Sequence, residues 1–157
     1  MYFITKRIKV IMMGDRAANI LLILSGTILL IWIILSLIGV TIGLNLAGDP
    51  TVRAIMHYLF RHVVFYLVLS ISWFIIALIG KKKGERLGLG IASLVVTGFT
   101  LLYTIWFTIF GIIPLLSSLS PASSLVLMVA LLVILIMAVL GTIGGILKLL
   151  AGISGGA

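Results

Sequence analysis

Apolar residues run along this chain in four long blocks, at residues 17–47, 63–80, 87–113 and 122–151, separated by short charged or turn-forming breaks. A hydrocarbon core of roughly 30 Å is crossed by about 20 apolar residues in helical conformation, so each block predicts one crossing. The second block is the end of a longer helix, predicted to begin at Pro50, where Asp49 can cap the first turn and proline occupies a position that needs no amide donor. The pattern predicts an all-α integral membrane protein of four transmembrane helices in an antiparallel up-down bundle. Residues 1–157 make a single domain, because the breaks leave no room for a soluble one.

Ahead of the first block, residues 2–13 (YFITKRIKVIMM) mix bulky apolar groups with Lys6, Arg7 and Lys9. This reads as a short N-terminal interfacial segment whose basic groups reach lipid headgroups or set orientation. Gly14 and Asp15 are expected to break it from the first span, with Asp15 as a helix cap. That first span is too long for a signal-peptide core of about 7–15 residues, and is expected to stay as an anchor.

Small and hydroxyl residues mark faces on these helices. Gly39 and Gly43 form a GxxxG step in the first span, and Gly141 and Gly145 a similar one in the fourth. Ser93, Thr97, Thr100, Thr104 and Thr108 recur at intervals of three and four along the third span, one side of a helix. In lipid, small faces allow close helix approach, and each hydroxyl bond across helices is worth about 0.6 kcal/mol. Both features are expected to serve helix packing.

Composition then removes whole classes of chemistry. Hydrophobic residues make up 63% and charged residues 9%, and no cysteine is present, which eliminates thiol redox and disulfides. The +8 charge would suggest nucleic acid in a soluble protein, but here it is spread over span boundaries, and no nucleic-acid partner is expected. Lys81, Lys82, Lys83 and Arg86 form a basic anchor in the middle connection, opposed by only Arg53 and Arg61 beyond the first span. The positive-inside rule then puts both termini in the cytoplasm of a multi-pass plasma-membrane protein. Absence of Gln and scarcity of Asn fit a thermophile or archaeal chain.

The three acids, Asp15, Asp49 and Glu85, fall at span boundaries. Cation-coupled carriers generally need a carboxylate within the membrane, so carrier and paired-carboxylate chemistry are not expected. Arg53, His57 and Arg61, at i, i+4 and i+8, present one polar face of the second helix, and with His62 are candidates for lipid or partner contact. His57 and His62 stand about 140° apart around a helix, so neither pairs with the other across one metal, and haem ligation would need a partner subunit's histidine. No cofactor, metal or catalytic residue is expected.

These readings converge on a non-catalytic integral subunit of a larger membrane complex, of respiratory or transport type, held by helix packing and lipid contacts with other membrane subunits or copies of itself. A homo-oligomeric channel or small transporter lined by the threonine face is one alternative. A hydrophobic filament or pilin-like subunit packed with lipid is the other.

Overall fold

The computed structural model describes residues 1–83 and 87–155, with the side chains of residues 8, 10–13, 83 and 155 outside the description. Four long helices carry the fold: α1 (Tyr2–Leu46), α2 (Pro50–Lys83), α3 (Leu87–Trp106) and, after a π-helical segment (Phe107–Ile112) and the single turn α4 (Ile113–Leu116), α5 (Pro121–Gly155). Gly14–Leu46, Pro50–Lys82, Leu87–Leu116 and Pro121–Ser154 are each long and apolar enough to cross a membrane. The protein is an all-α multi-pass membrane protein.

The helix starts follow from their caps. Asp49 Oδ1 accepts the Thr51 amide at 2.9 Å, with Pro50 at the first helical position. Ser120 Oγ likewise accepts the Ser123 amide at 3.3 Å ahead of α5. One expectation fails here. Gly14 and Asp15 do not break the chain, and α1 runs unbroken through 45 residues. A mid-helix glycine costs only about 1 kcal/mol, which regular backbone bonding on both sides outweighs, and the Asp15 side chain is engaged elsewhere than in a cap.

Near the other end of the molecule, Pro114 has no amide donor and its ring would meet a carbonyl one turn back. The helix widens before it, and the Ile113 amide bonds to Thr108 O in π register.

The four long helices alternate in direction, so the starts of α1 and α3 and the last turns of α2 and α5 lie at one end, called the terminal end. The α1–α2 and α4–α5 connections lie at the far end. Helix spacing follows side-chain size. A Cβ on Gly90 would stand 2.6 Å from Leu149 Cα, and one on Gly145 3.0 Å from Leu94 Cα, so α3 and α5 touch backbone to backbone. Trp73 of α2 is the central key. Its ring lies against Gly26 of α1 and Gly141 of α5, and its Nε1 donates to Leu22 O at 3.1 Å. By contrast α2 meets α3 and the π-helical segment through rings, Tyr66 on Tyr103 and His62 on Phe107 among them, which hold the axes farther apart. Leu22, Leu29, Ile33, Leu131 and Ile134 fill the space around Trp73 and Tyr66.

Candidate functional site

At the terminal end a lysine is buried. Lys148 on α5 is 1% exposed, and its ammonium donates to Asp15 Oδ1 at 2.5 Å, Asn19 Oδ1 at 3.0 Å and Gly80 O at 3.2 Å. Asn19 Nδ2 in turn donates to Asp15 Oδ2 at 3.2 Å. All three ammonium protons are used, so the buried charge is both paired and hydrogen-bonded, the condition under which such burial is tolerated. The clasp ties α1, α2 and α5. Sequence reasoning placed Asp15 at a span boundary and did not anticipate its meeting with Lys148. The available signal was Asp15 and Asn19 at i and i+4 on one helical face, with a lone lysine in the last apolar run of the same end.

The hydroxyl stripe points inward: Ser93, Thr97, Thr100 and Thr104 are buried, and Thr108 is half-buried. The threonine protons go back to their own helix. Thr97 bonds to Ser93 O, Thr100 to Val96 O, Thr104 to Thr100 O and Thr108 to Thr104 O, at 2.7–2.8 Å. Thr97 Oγ1 also packs against the flat side of Gly145. Thr104 alone bonds across helices, accepting Tyr66 OH at 2.9 Å.

Beside the stripe, His62 turns away from the basic face with which it was grouped. Its Nδ1 hydrogen-bonds to Tyr103 OH, and its ring stacks on Phe107 with centroids 4.0 Å apart. The angular separation that keeps His57 and His62 from sharing a metal also places them on different sides of α2, so His62 packs in the bundle while His57 is exposed. Tyr58 joins this cluster, resting on His62 and against Gly111. Among the described residues no group of three His, Asp or Glu side chains lies close enough to hold a metal.

The basic face of α2 is exposed. Arg53 folds back over the first connection, donating to Ala47 O at 3.2 Å, and with Gly48, Pro50, Ala54 and His57 lines a shallow groove. His57 and Arg61 make no side-chain hydrogen bond or ion pair among the described residues. The apolar-packing candidates divide. Gly43 receives the Met56 side chain, Gly141 receives Trp73 and Gly145 receives α3, whereas Gly39 is exposed with nothing within 4 Å of where its Cβ would stand. Of the basic anchor, Lys81 and Lys82 are exposed at the terminal end, while Arg86 and the Lys83 side chain lie outside the described residues.

Chemically, the arrangement offers structural polar contacts in the interior and a basic strip outside. No protein family, curated protein or solved structure matches the chain.

Proposed function

We propose that this chain is a non-catalytic integral subunit of a larger membrane assembly, docking through apolar helix surface near its far end. The observation that carries the reading is a mismatch of height. The four spans hold 30 to 34 residues each, or about 45–51 Å at 1.5 Å per residue. A hydrocarbon core takes up only about 30 Å, and even a tilt of about 40°, the top of the usual range, shortens 50 Å to about 38 Å.

The charges of α2 indicate which end protrudes. From Arg61 to Lys82 the exposed face is apolar, over about 30 Å of helix, one hydrocarbon thickness. Neighbouring contacts carry the Arg61 level onto the other helices. Met56 beside Gly43 and Trp73 beside Gly26 put it near Ile38 of α1. Trp73 beside Gly141 and Gly80 beside Lys148 put it near Val129 of α5. Beyond that level Ile42, Leu46, Phe110, Ile113, Leu125 and Val126 are all exposed, Leu46 at 79% and Val126 at 70%. Leaving large apolar side chains in water forgoes about 1.5–3 kcal/mol each, so a collar of this kind favours a protein cover.

The threonine stripe supports packing over a conduction path, since its hydroxyls bond to their own helix and it abuts Gly145. The basic residues at the terminal end orient that end to the cytoplasm in this reading, with the collar on the opposite side of the plasma membrane.

Purification from native membranes in a mild detergent tests the proposal. The chain is expected to leave the membrane in a stoichiometric assembly with other membrane chains, read by intact-complex mass spectrometry. Recovery as a single bare chain under conditions that preserve known membrane complexes contradicts it.

A further inference from the structure

The exposed face of α2 has the layout of a lipid molecule. Arg61 stands at its upper edge with His57 one turn above it, both exposed and without a partner among the described residues. Asp49, the acid nearest them in sequence, already accepts the Thr51 amide as a helix cap, and Arg53 is turned to Ala47 O. Directly below Arg61, Val64, Phe65, Val68, Ile71 and Ile75 continue the same side as an exposed apolar strip. Trp106 of α3, half-exposed and stacked on Tyr103, marks nearly the same height, where indole rings favour the membrane–water boundary.

We infer that Arg61 and His57 hold the phosphate of an anionic phospholipid in the far-end leaflet, with its acyl chains lying along Phe65 and Val68. Guanidinium and imidazole N–H groups donate to the phosphate oxygens, and Arg61 forms the charge-assisted bonds. The apolar strip below is what selects a lipid over a free anion or an acidic peptide, since neither of those would cover Phe65 and Val68. The inference shares the membrane plane of the proposed function but not its docking partner, so either can fail alone.

The test titrates purified full-length chain in neutral detergent with phosphatidylglycerol and reads bound lipid by native mass spectrometry. Wild type is expected to bind one molecule more tightly than the rest. Arg61→Gln weakens that molecule by about tenfold or more, as loss of a charged hydrogen bond implies. Arg61→Lys keeps part of the affinity, and Lys82→Gln, at the other end, leaves it unchanged. Millimolar inorganic phosphate does not displace the lipid, and diacylglycerol of the same chain length does not replace it. Equal affinity in Arg61→Gln, displacement by inorganic phosphate, equal binding of diacylglycerol, or no preferred molecule in the wild type each overturns the inference. Collar docking is read separately, by whether Arg61→Gln still leaves native membranes within its assembly.

Discussion

Lys148 shows how much one side chain can decide in a chain with so few charges. Its ammonium has left water for a site made by three helices, and the exchange holds only while Asp15 balances it. Breaking a buried pair by removing one partner usually costs about 3–5 kcal/mol, because the other charge is stranded, whereas removing both is often close to neutral. Lys148→Met is therefore expected to lower the thermal unfolding midpoint in detergent substantially. The double variant Asp15→Leu, Lys148→Met is expected to recover most of that loss. A Lys148→Met protein as stable as wild type would show that the clasp contributes nothing. The pairing escaped the sequence reading because Asp15 and Lys148 are over a hundred residues apart, and helical periodicity speaks only of neighbours on the same element.

Between elements, glycine separates contacts made within the chain from those left open. Gly90 and Gly39 look alike in the sequence, each a small residue in an apolar run. Gly90→Ala forces its Cβ to within 2.6 Å of the α5 backbone, which cannot yield as a side chain would, so α3 and α5 must part. Gly39→Ala meets nothing and improves helix propensity by about 1 kcal/mol. Thermal unfolding in detergent is expected to show Gly90→Ala well below wild type and Gly39→Ala at or above it; the reverse order would mean that the helices are packed differently.

Helix existence and order were legible, because blocks of apolar residues bounded by charge leave a membrane chain few alternatives, but the start of α1 was not, since Gly14 and Asp15 read as a break. The threonine stripe was legible as a face because its residues recur at intervals of three and four. Which helix it meets was not, since Gly145 and Gly141 carry no label naming Thr97 and Trp73 as their partners. His62 is intermediate. Its separation from His57 followed from residue number, but its pairing with Tyr103 required the α2–α3 register.

For the whole molecule the decisive quantity is length. Helices of about 50 Å stand in a layer of about 30 Å, with charges on α2 that bound one hydrocarbon thickness and apolar surface that continues past it on α1, α4 and α5. Protein is proposed to cover that surface, and photocrosslinking in native membranes tests this most directly. Photoreactive groups at Ile42 and Val126 are expected to form adducts with another polypeptide chain, while groups at Val68 and Val95, exposed within the lipid band, capture lipid. Lipid adducts alone at Ile42 and Val126 would contradict the account, because they would place the collar in hydrocarbon after all.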